Sequence, residues 1–279
     1  MSDTENRNSG SIMRRATSLT GQLYLCCRGY LPVLSVCIAC VTGCNPASAS
    51  PPGGIGFSLS RIVMMAEKKG GSMVEVRNGT DKIWLMQSRV MAADSDKGIP
   101  VAPSSAESLP FLVVPPLKRM EAGDSLILRV VAAPQKTAKL PQDRESLFFL
   151  SSKAIPAISV TGRNTAHTGR VSVALENDIK LFYRPAGLAE EALDDVAGQL
   201  KVRLDGDKLQ FTNPSPYFIT FAFIQVNGHA LADKALRPMI GPKSSQLYPL
   251  PQGVNYGDVS WALIDEYGLL TKTEQKNVH

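Results

Sequence analysis

The chain has 279 residues, enough for one or two domains once a leader is set aside. Hydrophobic residues make up 44% and aromatic residues 6% of it, an ordinary composition for a folded soluble core. The net charge is only +5, and the basic residues are spread among acidic ones rather than clustered with aromatic side chains. This distribution argues against a nucleic-acid-binding protein.

The pattern of residues 1–49 predicts a secretory signal peptide with an upstream extension. A short apolar run, residues 31–43, follows Arg14, Arg15 and Arg28, and Ala47-Ser48-Ala49 offers small side chains for cleavage. The run is too short for a comfortable membrane span. All five cysteines lie in this segment, so a mature protein that begins near Ser50 contains none and cannot form a disulfide.

Two other interpretations of the leader remain. Cys37, Cys40 and Cys44 have a spacing that metal ligands also use, but a cluster inside a removed leader has no fold to serve. Val41-Thr42-Gly43-Cys44 resembles a bacterial lipobox, in which Cys44 would carry a lipid and tether the protein to a membrane. We therefore expect no metal and no cofactor, and keep the lipid anchor as the alternative localisation.

Residues 50–184 predict a first β-sandwich of about seven strands. Short apolar, β-branched segments alternate with turn residues, and few stretches have a helical period. The candidate strands are 62–65, 72–77, 82–90, 111–114, 125–131, 146–150 and 170–183, with Asn78-Gly79 as a tight turn.

The last of these segments has the pattern of an edge strand. Val171, Val173 and Leu175 project from one face because strand side chains alternate, and Lys180 and Arg184 follow this apolar row. An exposed edge with an apolar row is a template for adding another chain, and a nearby cation could fix the end of that chain. Periodicity alone leaves open whether the row is such a surface or part of a core.

Residues 185–279 predict a smaller β-sandwich. A short helix is expected over 189–196, and Asp205-Gly206 between two apolar segments predicts a hairpin. Further strands are expected over 217–226, 246–248 and 259–264.

Three segments together resemble the periplasmic pilus (fimbrial) chaperones. They are Leu140-Pro-Gln-Asp-Arg-Glu-Ser-Leu-Phe-Phe149, Ala154-Ile155-Pro156 and Ile179-Lys-Leu-Phe-Tyr-Arg-Pro185. The resemblance extends over most of the chain after residue 56. It implies an all-β protein of two immunoglobulin-like β-sandwich domains set at an angle with a cleft between them. It also implies a periplasmic chaperone that binds, stabilises and delivers pilus subunits by donor-strand complementation, with an outer-membrane usher as a second partner.

The resemblance also implies roles for particular residues. Arg61 on the first strand and Lys180 on the last strand of the first domain would bind the carboxylate at the subunit's C-terminus. Val171, Val173 and Leu175 would fill the groove of the incomplete subunit. The ordinary alternative for both cations is a solvated position at a strand end.

A third set resembles a family ion network across the domain interface: Glu145, Arg184 and Glu266. The family pattern has Asp before the Tyr-Gly dipeptide, whereas this chain has Glu266 there with Asp265 beside it. The partner of Arg184 therefore stays open, and exposed pairs of little energetic weight are the alternative.

The sequence favours a non-enzymatic protein. It contains only His167, His229 and His279, without metal-binding spacing, and no nucleophile elbow or phosphate-binding glycine loop. A β-sandwich pilus subunit or adhesin is the alternative function, and a sandwich hydrolase is a third. The segment between Pro156 and Val171 is long for short-loop chaperones, yet the disulfide of the long-loop branch is absent, so the subfamily stays open.

Overall fold

The computed structural model describes residues 53–94, 98–101, 109–157, 172–254 and 257–279. Its seventeen strands are β1 (Ile55–Phe57), β2 (Arg61–Met65), β3 (Ser72–Asn78), β4 (Trp84–Asp94), β5 (Ile99–Val101), β6 (Phe111–Val114), β7 (Leu117–Met120), β8 (Ser125–Ala132), β9 (Ser146–Pro156), β10 (Leu175–Arg184), β11 (Lys201–Asp205), β12 (Lys208–Asn213), β13 (Phe221–Val226), β14 (His229–Ala230), β15 (Ser244–Pro249), β16 (Gly257–Leu263) and β17 (Glu274–Val278). Helical turns occupy Pro134–Thr137, Leu193–Gln199 and Asp233–Leu236. In the described ranges no helix is long and apolar enough to cross a membrane.

The first sandwich consists of two sheets. One has the strand order β1-β3-β8-β6, and the other has β2-β10-β9-β4-β5 with β7 also paired to β4. The chain passes from the first sheet to the second between β1 and β2, through Ser58–Ser60. Alternate residues of both sheets meet in the core, for example Val74 and Leu128 from one sheet and Leu150 and Leu181 from the other.

The second sandwich has the sheets β11-β12-β15 and β14-β13-β16-β17. Phe211 lies at the centre of its core, where its ring meets Phe221, Tyr248 and Trp261 edge-on. The predicted hairpin is present, since β11 and β12 pair from Asp205 and Lys208 outward. Gly206 has φ +62°, a conformation that the tight turn needs and that glycine adopts without strain.

The expectation of two immunoglobulin-like β-sandwiches is confirmed. Several boundaries differ from the predicted ones. The helix covers 193–199 instead of 189–196, and β13 begins at Phe221 instead of Tyr217. Before Phe221 the backbone of Ile219 pairs with Ile240 instead of with β16. Short strands β1, β5, β7, β14 and β17 carried too weak a pattern to be predicted individually.

Candidate functional site

Strand β10 is buried on both faces over its second half. One set of alternate side chains packs into the core of the first sandwich: Ile179, Leu181 and Tyr183. The other set faces the second sandwich: Lys180, Phe182 and Arg184. Phe182 lies in an apolar cluster that also contains Phe218 and Met239 of the second sandwich, with the two phenyl rings 6.0 Å apart. The strand thus presents its cations at the interface between the domains.

Lys180 and Arg61 are direct neighbours on adjacent strands. β10 pairs with β2 in parallel over five positions, and the register sets Lys180 opposite Arg61. Neighbouring strands are about 4.8 Å apart, so two cationic side chains at a shared register position lie on one face and close together. This pairing joins the two residues for which the family resemblance implies carboxylate binding.

Arg61 is held by the second sandwich. Its side chain is only 7% exposed, and Nη1 donates a hydrogen bond of 2.7 Å to the carbonyl of Ile264. The guanidinium carbon lies 5.8 Å from the centre of the Phe182 ring, within cation–π distance. Nε is buried and has no hydrogen-bond partner among the described residues.

Burial lowers the pKa of Arg61, and the nearby carboxylates of Asp265, Glu266 and Glu145 oppose that effect. The guanidinium stays charged because its ordinary pKa is far above neutrality.

Lys180 faces a cleft of about 370 Å³ that both sandwiches line. The first sandwich contributes Gly98 and Ile99, and the second contributes residues 220–222, Asp233, Leu236 and Arg237. Nζ makes one long hydrogen bond of 3.4 Å to the hydroxyl of Thr220. Burial, and then the charge of Arg61, lower the pKa of Lys180 to about 8.

Arg184 is the centre of a buried ion network. Its side chain is 1% exposed, and it pairs with Glu145 at 2.5 Å and Glu266 at 2.9 Å. Nη1 also donates to the carbonyls of Ala189 and Glu190, and the guanidinium lies 4.5 Å from the centre of the Tyr217 ring. Glu266, not Asp265, is therefore the partner of Arg184, and Asp265 instead accepts hydrogen bonds from the amides of Tyr267 and Leu269 in the next turn.

The two carboxylates of this network connect the sandwiches. Glu145 accepts a 2.6 Å hydrogen bond from the amide of Phe218, and Glu266 accepts from the amides of Ala192 and Leu193 at the start of the helix. Burial raises the pKa of Glu145, an effect that Arg184 and the Phe218 amide partly offset. Attraction to both carboxylates outweighs burial at Arg184 and raises its pKa.

The predicted donor row is only partly described. Val171 lies outside the described residues. Val173 is 63% exposed and precedes β10, which begins at Leu175, itself 51% exposed, rather than at residue 170. The antiparallel register pairs Leu175 with Ala154, so Val173 falls opposite Pro156, which has no amide hydrogen to continue the ladder.

One side of β10 is open at its start. β9 pairs with residues 175–183, whereas β2 pairs only with residues 180–184. Along the described part of the chain no strand occupies the β2 side of residues 175–179, and side chains 175–178 are exposed on both faces. The open backbone edge ends where Lys180 and Arg61 lie.

The local sequence pattern does not indicate what the second sandwich contributes to the site. Thr220, the carbonyl of Ile264 and the apolar pair Phe218 and Met239 were not singled out. The run Ile179–Tyr183 carried one usable signal, because a strand that is apolar on both faces is typically covered on both sides. His229 and His279 are exposed, as expected, and His167 lies outside the described residues.

Comparisons with known proteins show which family the chain is similar to. The sequence profile described as "Pili and flagellar-assembly chaperone, PapD N-terminal domain" matches residues 54–189, and "Pili assembly chaperone PapD, C-terminal domain" matches residues 195–275. A probable fimbrial chaperone, ElfD of Escherichia coli K12, is 32% identical over 233 residues, which are 84% of this chain and 91% of the relative.

Solved structures show the same similarity. The Escherichia coli chaperone DraB superposes with a TM-score of 0.65 at 30% identity, over 81% of this chain and 97% of that one. A chain from the Salmonella enterica complex of SafA pilin with the SafB chaperone gives a TM-score of 0.66 at 27% identity, over 82% and 98% of the two chains.

Proposed function

This chain belongs to the pili assembly chaperone family, and from that premise we propose that it captures a pilus subunit by adding a strand at the open edge of β10. The subunit's terminal carboxylate is bound by Arg61 and Lys180. The observation that supports this most directly is the parallel register that sets these two cations side by side where the open edge ends.

The geometry favours one direction for the captured strand. The bound strand would occupy the side of β10 that β2 occupies farther along, and β2 runs parallel to β10. A strand in the same direction brings its carboxyl end to the start of β2, at Arg61. In the opposite direction the terminal carboxylate would lie at the far end of the edge, away from the two cations. We therefore propose parallel addition that runs along the apolar row and continues to residue 179.

Affinity and register come from different groups. Val173 and Leu175 are more than half exposed, and full burial of such a side chain contributes roughly 1.5 to 3 kcal/mol before ordering costs. A charge-assisted hydrogen bond contributes on the order of 1.5 to 3 kcal/mol, and a slip of one residue would turn the apolar row away. With Val171 the row has three such side chains against two cations, so we propose that the apolar row supplies the larger share of the affinity and that the carboxylate anchor chiefly fixes the register.

The remaining parts of the function follow from the family. We propose that residues 1–49 direct export to the periplasm, that residues 50–184 and 185–279 are the two domains, and that an outer-membrane usher receives the subunit. A structural pilin or adhesin is not favoured, because family profiles for both chaperone domains match this chain. The family is one of chaperones, and we propose that this member has no enzymatic activity.

The carboxylate anchor is tested with a purified subunit whose C-terminus is either native or amidated. We expect Lys180→Ala to weaken binding of the native subunit by about 2 to 5 kcal/mol, because a desolvated carboxylate loses one of two fixed partners. Arg61→Ala should act alike, and the double variant should lose less than the sum because both cations act on one carboxylate. Lys201→Ala, an exposed strand lysine in the second sandwich, is the matched control.

Amidation gives the decisive comparison. The unmodified protein should bind the amidated subunit much more weakly, whereas amidation should weaken binding by Lys180→Ala and Arg61→Ala much less. Equal binding of the two subunits by the unmodified protein would eliminate the carboxylate anchor.

A further inference from the structure

We propose that Lys180 destabilises the protein while the cleft is empty, and that a bound carboxylate removes this penalty and brings a proton to Lys180 in alkaline solution. The second half rests on the proposed capture of a subunit carboxylate, whereas the first half concerns the free protein alone. The two halves are therefore tested separately.

The fold buries two positive charges, Arg61 and Lys180, next to each other. Arg61 is 7% exposed and Lys180 is partly buried, at one register position of adjacent strands. The fold fixes their approach, because β2 and β10 pair over five consecutive positions and Arg61 is also tied to the Ile264 carbonyl. These contacts fix the backbone of both residues and the side chain of Arg61.

The buried positive charge of Lys180 is only weakly compensated by the groups around it. In the described part of the chain no carboxylate forms an ion pair with it; Asp178, two residues earlier on the same face of β10, is exposed. β9 places the apolar Phe149 opposite it. The second sandwich contributes Asp233 and Arg237 to the cleft, two exposed groups of opposite charge.

The acidic groups of the interface interact with the two arginines and not with Lys180. Asp265, Glu266 and Glu145 act on Arg61, and two of these three also bind Arg184 directly. Lys180 receives no comparable attraction, since burial and the repulsion from Arg61 are the influences on it. In the empty cleft the ammonium group of Lys180 is therefore stabilised by one long hydrogen bond to the Thr220 hydroxyl and by no carboxylate among the described residues.

The lowered pKa of Lys180 determines how the stability of the folded protein changes with pH. The pKa of Lys180 is about 8 in the folded protein, below its ordinary value of 10.5. Below pH 8 both folded and unfolded states carry the proton, so the folded state bears the full penalty. Between pH 8 and 10.5 the unfolded state holds more protons, so this group makes the folded state more stable as pH rises.

The free protein provides the first test. Lys180→Met retains the aliphatic length and removes the charge, and we expect it to raise the melting temperature at pH 7 by about 2 to 4 °C. The difference from the unmodified protein should narrow as pH rises from 8 towards 10.5. Lys180→Gln should behave alike, and Lys201→Met, at an exposed position, should change little at either pH. A Lys180→Met protein that melts at or below the unmodified temperature at pH 7 would overturn the destabilisation.

Subunit binding provides the second test. A C-terminal carboxyl has a pKa near 3.5, so it is ionised from pH 6.5 to 9.5 and exchanges no proton of its own. Calorimetric titration with a native subunit, in two buffers of different ionisation enthalpy, should show uptake of more than half a proton at pH 8.5 and almost none at pH 6.5. The apparent Kd should rise roughly tenfold or more between pH 7 and 9.5.

The variants separate the possible outcomes. Uptake at pH 8.5 that persists in Lys180→Met would assign the proton to another group and refute the proposal. If amidation of the subunit has no effect while Lys180→Met still raises the melting temperature, the carboxylate anchor fails and the destabilisation stands. If amidation weakens binding but no proton is taken up at pH 8.5, the anchor stands and the proton linkage fails.

Discussion

Replacing Arg184 by methionine should strongly destabilise the protein, because Arg184 neutralises two carboxylates inside the domain interface. The side chains of Arg184, Glu145 and Glu266 are 1%, 2% and 6% exposed. Removing one partner of a buried ion pair leaves an uncompensated charge and costs about 3 to 5 kcal/mol. We therefore expect the free energy of unfolding at pH 7.5 to fall by about that amount in urea titrations.

The loss should depend on pH in a defined direction. Burial already raises the pKa of Glu145, and Arg184 is among the groups that oppose this rise. Without Arg184 the folded-state pKa rises further. A carboxyl group with a raised folded-state pKa costs stability at pH values where the unfolded state is ionised, and costs nothing where both states are protonated. The penalty for Arg184→Met should therefore be largest near neutrality and shrink as pH falls towards 4.5.

Two comparisons make this prediction decisive. Arg144→Met removes an exposed ion pair with Asp143, whose side chains are 43% and 52% exposed, and should cost no more than about 1 kcal/mol. Adding Glu145→Leu to Arg184→Met should restore part of the loss, because the orphaned charge disappears with its partner. If Arg184→Met is no more harmful than Arg144→Met, the network does not hold the domains together and our reasoning about it is wrong.

Two further predictions concern the capture surface and the leader. Val173→Arg should leave the melting temperature unchanged yet abolish subunit binding, since a charge would enter the subunit's apolar groove without a partner. The control Met73→Arg, at an equally exposed position on β3, should leave subunit binding intact. If Val173→Arg unfolds the free protein, Val173 belongs to the core. The mature protein should begin near Ser50, which its intact mass will show, whereas a lipid adduct on Cys44 or a retained leader would contradict the signal-peptide assignment.

The local sequence determined the principal strands and the tight turns, which depend on residues close together in the chain. Alternation of apolar side chains predicted the principal strands, and Asp205-Gly206 predicted its hairpin, because strand faces and tight turns are set over two to four residues. The motif Ile179–Pro185 also marked Lys180 and Arg184 as unusual cations within an apolar strand.

Tertiary structure decided what each face of a strand meets. Periodicity separates Lys180, Phe182 and Arg184 from their inward neighbours, yet it cannot reveal that a second sandwich covers them. The pairing of Arg61 with Lys180 depends on the register between segments distant in sequence. The selection of Glu266 over Asp265 depends on the fold that brings Glu266 to Arg184, while Asp265 caps the turn that runs to Leu269. Contacts of this kind form only when distant segments are brought together, so no local pattern in the chain encodes them.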